Sequence, residues 1–149
     1  MDRKFEVLNN KVDAPINTTG ADDHVPAIER FIRVVKERFR SERCTLPYTK
    51  IPPTVIKELV KFCNMWLNSF IIKGGVSNTL SPRCLLTGRS LDYNLHCKIP
   101  FGAYAHVNQY STPRNSDKPR TVATICLGPT GNAQGTYKFL SLRTGKTLY

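Results

Sequence analysis

Acidic side chains are scarce in this chain. Eleven Asp and Glu face 22 Lys and Arg over 149 residues, a net charge of +11. That balance excludes an acidic solvating protein and favours a polyanionic partner. Long apolar runs are also missing, and none approaches the ~20 residues that span a bilayer. The start, MDRKFEVLNN, lacks the apolar stretch of a secretory signal. These absences predict an intracellular chain, cytoplasmic or nuclear, with no membrane partner. Cysteine spacing offers little. Cys44, Cys63, Cys84, Cys97 and Cys126 lie 19, 21, 13 and 29 residues apart, with no C-x-x-C. An odd count without a signal argues against a disulfide framework. A structural zinc would need remote ligands helped by His24, His96 or His106, which disfavours it.

What is present is enough apolar material, 40% of residues, for a real core and against wholesale disorder. Charge is unevenly spread. Residues 1–28 carry three basic and five acidic side chains, residues 29–61 nine and four, and residues 111–149 six and one.

The first marked element is a helix. Asp22 or Asp23 can cap it, Pro26 suits its first turn, and Glu29 lies near the positive end of its dipole. It should run to about Arg43. Ile28, Ile32, Val35 and Phe39 form one apolar stripe, expected to pack on the following helix. Glu29, Arg33, Lys36 and Arg40 repeat that spacing one residue on, so a carboxylate heads a row of three cations. Arg30 and Arg43 add to the basic surface. A second helix is expected from Pro52-Pro53 to about Phe70, with a wide apolar face that includes Trp66. Trp66 reads as packing, not as a base-stacking platform. Ser81-Pro82 opens a short helix ending at Gly88.

From Lys98 the pattern changes. Ile99, Phe101, Tyr104 and Val107 suggest a strand pair or extended run, and residues 108–120 a polar linker. Thr121–Leu127 and Tyr137–Leu142 read as strands. Arg143-Thr144-Gly145-Lys146 reads as a hairpin turn into a strand at Thr147. The layout is α+β, helices first and then a small antiparallel β module.

On residue chemistry alone, Glu29 has two readings. A carboxylate suits a hard cation such as Mg²⁺, with the neighbouring cations holding phosphates. The plainer reading is a first-turn Glu above a solvated charged face. His96-Cys97 could pair as base and nucleophile, but adjacent residues on a strand face opposite ways, so ordinary structure is the better assignment. Lys118, Arg120, Lys138, Arg143 and Lys146 could form a phosphate-binding face on the β module.

The run His24-Val25-Pro26-Ala27-Ile28-Glu29-Arg30, with Val34-Val35-Lys36-Glu37-Arg38, resembles the helix bearing the third catalytic acid of copia-type retrotransposon integrases. Ordered matches follow. They are Leu46-Pro47, Trp66-Leu67-Asn68, the run from Val76 to Arg83, Thr87-Gly88, and Phe101 to Val107. The last are Gly128 to Gly135, Tyr137, and Arg143 to Lys146. The resemblance implies an incomplete ribonuclease-H-like core over residues 1–107, mainly helical, and a linker plus small β module over 108–149. It implies DNA integration by phosphodiester hydrolysis and strand transfer, with Asp2 and Glu29 as catalytic acids holding Mg²⁺ or Mn²⁺. The family's first catalytic Asp and its amino-terminal zinc segment find no match, so the chain reads as a truncated integrase without turnover of its own. DNA is the expected partner, held by Arg30, Arg33, Lys36, Arg40, Lys118, Arg120 and Lys138, and association with other integrase chains fits the same reading. A basic nucleic-acid-binding or interaction module without enzymatic ancestry is the alternative. An amphipathic membrane-surface helix at 24–43 ranks last, because its stripe lacks Trp.

Overall fold

The computed structural model describes residues 25–108, 117 and 119–149. The chain divides into two compact units, Met1–Ile32 and Arg33–Tyr149. In the first, the described residues are Val25 to Ile32, which open helix α1.

The expected helices form. Helix α1 spans Pro26–Thr45, α2 Pro53–Leu67 and α3 Pro82–Thr87. Pro52 in extended conformation leads into Pro53, where the missing N–H costs nothing. Asn68 closes α2, its Nδ2 donating to Asn64 O at 2.9 Å, so this helix ends three residues before the expected Phe70. Ser81 Oγ accepts from Cys84 N at 3.2 Å, and Gly88 ends α3 in the left-handed region, as the sequence predicts. A four-residue helix α4, Tyr93–His96, follows. It is capped by the Asp92 carboxylate, which accepts from Asn94 N. One turn is too short to show a period in sequence.

Four strands complete the chain: β1 Tyr104–Asn108, β2 Thr121–Pro129, β3 Tyr137–Ser141 and β4 Thr147–Leu148. They pair as an antiparallel meander in the order β1-β2-β3-β4. The fold is therefore α+β, with helices first and a small antiparallel sheet after. Of the strand pair or extended run expected from Ile99 to Val107, one strand forms, from Tyr104 on. Pro100 and the left-handed Gly102 (φ +81°) turn the chain just before it, which buries Phe101. The β2–β3 register shifts between Cys126 and Gly128. At Gly128 φ is +92°, and a Cβ would lie 2.7 Å from the Phe62 ring. Only glycine suits both the backbone and the approach of α2.

One core joins α2 to the sheet. Val55, Leu59 and Cys63 recur every four residues along α2 and are fully buried. They cluster with Phe101, Leu127 and Leu140, and Phe39, Leu46, Ile51 and Phe62 pack around them. This core runs across the boundary expected at residue 108, and β1 itself lies astride it.

The stripe expected on α1 is only partly used. Phe39 packs against the core, whereas Ile28 and Ile32 remain 58% and 46% exposed and no residue of α1 is buried. All five cysteines are free, with Cys63 and Cys126 buried.

Candidate nucleic-acid interface

A helix advances about 100° per residue, so the faces of α1 follow from its register. Taking Phe39 as the core direction, Lys36, Arg40 and Arg33 lie about 60°, 100° and 120° round the axis on one side. Arg38 lies about 100° round on the other. Arg30, Arg33, Lys36 and Arg40 are all exposed. Glu29 sits in the first turn of α1, exposed, its N–H donating to Val25 O at 3.1 Å. Arg33 Nε stands 3.7 Å from Glu37 Oε1, with side chains 81% and 62% exposed. A pair so open to water holds the guanidinium only weakly, so Arg33 is available to an anion. Arg38 and Glu42 pair more closely, at 2.9 Å.

The other expected contacts divide. Arg120 is exposed just before β2. Asp2 and Lys118 lie outside the described residues. Lys138, on β3, donates to Glu58 Oε2 on α2 at 3.1 Å, and Lys61 donates to Oε1 at 2.6 Å. Lys138 is only 25% exposed. It ties helix to sheet, a role its distance in sequence from Glu58 concealed. Burial alone would push the Glu58 carboxyl up. The hydrogen bonds and charges of Lys61 and Lys138 outweigh this and hold it below the usual carboxylate range.

His96 is structural. The residue is 3% exposed, with Nδ1 2.7 Å from Asp92 O and Nε2 2.9 Å from Asn132 O. Nearby, Tyr137 Oη donates to Leu95 O at 3.1 Å and accepts from Lys98 N at 2.9 Å. These contacts fix α4 to β3 and to the β2–β3 connection. Cys97, next to His96, is exposed and forms no dyad with a ring whose nitrogens both face carbonyls.

A second feature went unseen in the sequence. Beyond the sheet, the end of α2 contributes Phe62 and Trp66, the chain after it Phe70, and α4 Tyr93, to a cavity of about 510 Å³ that Arg38 also lines. Trp66 packs as expected, edge-on against Phe62 with ring centroids 6.1 Å apart, but it is only half-buried and stands outside the core cluster. Spacing alone hides this, because Trp66 and Phe70 continue the apolar face of Leu59 and Cys63. The one clue, the aromatic pair at i and i+4, fits a core equally well.

Among the described residues, no group of three His, Cys, Asp or Glu side chains stands close enough to hold a metal ion. Nor, among them, is any helix long and apolar enough to cross a membrane. The chain matches no protein-family model, no curated protein and no solved structure.

Proposed function

We propose that this protein binds DNA without sequence preference, as its resemblance to copia-type integrases implies, with the outer side of α1 as the main track. The observation that carries the proposal is the row Arg33, Lys36 and Arg40, exposed on one flank of a continuous helix. The row spans about 10 Å at about 1.5 Å per residue. Duplex DNA presents a charge about every 1.7 Å of axis, so the row faces several phosphates at once. The surroundings reinforce it, since residues 33–108 carry twelve Lys and Arg against four Asp and Glu. Cations on a helix fix position on a phosphate backbone without reading bases. Arg120, exposed just before β2, is a further cation open to solvent.

Glu29 lies in the first turn of α1. By resemblance it belongs with Asp2 in a Mg²⁺ or Mn²⁺ site. Asp2 lies outside the described residues, so the chemistry derived from the chain's own residues is binding, and no reaction step is routed through a metal. The ribonuclease-H-like ancestry and a role in DNA integration belong to the same proposal.

The test is fluorescence anisotropy of a labelled duplex of arbitrary sequence between about 50 and about 200 mM salt. Each neutralised phosphate contributes about −0.9 to the slope of log K against log salt. Arg33→Ala with Lys36→Ala should flatten the slope by about two contacts and weaken all sequences equally. An affinity insensitive to salt, or a double variant that binds like the parent, overturns the proposal.

A further inference from the structure

The aromatic cavity carries an inference of its own. Trp66, Phe70 and Tyr93 stand with ring centroids 6.0–6.3 Å apart and planes within 15–29° of one another. Phe70 is 54% and Tyr93 47% exposed. Three large rings nearly parallel, with two of them half open to water, are not a closed core. The exposed parts of Phe70 and Tyr93 leave aromatic surface open to a flat partner. The cavity beside them, about 510 Å³, falls within the range of ligand sites.

The occupant follows from charge. Arg38 lines the cavity, ion-paired with Glu42 at 2.9 Å but with its side chain 49% exposed, so a phosphate can still reach the guanidinium from the solvent side. The stretch 62–108, which supplies Phe70, Tyr93 and most of the lining, holds Lys73, Arg83, Arg89 and Lys98, with Asp92 as its one acid. Lys73, Arg89 and Lys98 are exposed. Clustered aromatic rings on a basic chain are how proteins hold unpaired nucleobases while tracking the backbone, and every base has a π-face to offer. A paired base inside a duplex cannot reach such a cavity without leaving its stack.

We infer that the Trp66–Phe70–Tyr93 cluster is a stacking site for unpaired bases of single-stranded DNA or RNA, with Arg38 at hand for the adjoining phosphate. The site rests on the nucleic-acid reading above but uses a different surface. Arg38 lies on the flank of α1 away from Arg33, Lys36 and Arg40, so the two surfaces can fail separately.

Trp66 is the only tryptophan in the chain, which makes the test direct. The full chain is titrated with an oligothymidylate and with a duplex of equal length, following Trp66 emission and anisotropy of the labelled nucleic acid. The expected result is quenching by the single strand and not by the duplex. Phe70→Ala with Tyr93→Ala should weaken the single strand by about five- to a hundredfold and leave duplex affinity within about twofold. Both residues are substantially exposed, so the core survives their truncation. Tyr93→Phe should restore binding, because stacking needs the ring and not the hydroxyl. Arg33→Ala with Lys36→Ala should do the reverse, costing the duplex more than the single strand. Saturating oligothymidylate that leaves Trp66 emission unchanged overturns the site even if duplex binding stands. So does a Phe70–Tyr93 double variant that binds the single strand normally, or quenching by a proline-rich peptide in place of the oligonucleotide. If the duplex fails to bind at low salt while the oligothymidylate still quenches, the α1 track falls and the stacking site stands.

Discussion

Glu58 is where helix and sheet are joined by charge, and its removal has a calculable signature. Its side chain is 15% exposed, and each carboxylate oxygen accepts from one lysine. The Lys61 pair is open to solvent and adds little. The Lys138 pair is more enclosed, at 25% exposure, and bridges α2 to β3. A hydrogen bond to a charged group contributes about 1.5–3 kcal/mol when protected, and an exposed ion pair about 0.2–1 kcal/mol. The enclosed pair falls between, at about 1–2 kcal/mol. Glu58→Gln should therefore lower Tm by about 2–4 °C for each kcal/mol lost in a chain of this size. The pH dependence fixes the sign. The carboxyl titrates lower in the folded protein than the ~4.3 of an unfolded glutamate. The stabilisation is thus complete above about pH 5.5 and drains away as pH falls through 4.3 and then through the lower folded value. Urea melts of the parent, Glu58→Gln, Lys138→Met and the double variant, at about pH 7 and pH 3.5, measure the coupling directly. A coupling below about 0.3 kcal/mol at pH 7, or an acid limb that Glu58→Gln leaves unchanged, refutes the bridge.

Two further outcomes test the core. Leu59 is fully buried, so Leu59→Ala should cost about 2–5 kcal/mol. Leu86→Ala, at a residue 87% exposed, should stay within about 0.5 kcal/mol; equal effects in denaturant melts would put the core elsewhere. Burial pushes the Cys63 and Cys126 thiols above the usual range, and a suppressed thiolate reacts slowly. A thiol reagent should label the exposed Cys44 and Cys97 promptly, the half-buried Cys84 more slowly, and Cys63 and Cys126 only on unfolding. Prompt labelling of all five would contradict the described packing.

What the sequence disclosed was whatever is settled within one turn of chain. Pro52-Pro53, Ser81 and Gly88 mark helix ends because caps and proline act on the nearest few backbone groups. Their expected and observed positions agree to within a residue or so. The direction of Arg33, Lys36 and Arg40 was legible for the same reason, since a helix fixes side-chain azimuth whatever it packs against. Hydrophobic spacing disclosed less. It marks a face as apolar without saying how far along the helix the covering sheet extends. The sheet covers α2 as far as Cys63, so Trp66 and Phe70 obey the core pattern and yet line a cavity. Lys138 fails at longer range still. Its partner Glu58 lies 80 residues away, and only the approach of β3 to α2 turns a residue of a presumed phosphate-binding face into a structural tie. The same logic applies to the two candidate surfaces. The α1 row takes its direction from helical geometry, but the helix that carries it is held by Phe39 against the core. The aromatic site needs α2, the loop after it and α4 brought together on that same core, so Leu59→Ala should lower the denaturant concentration at which base stacking and duplex binding are lost, and lower it for both together.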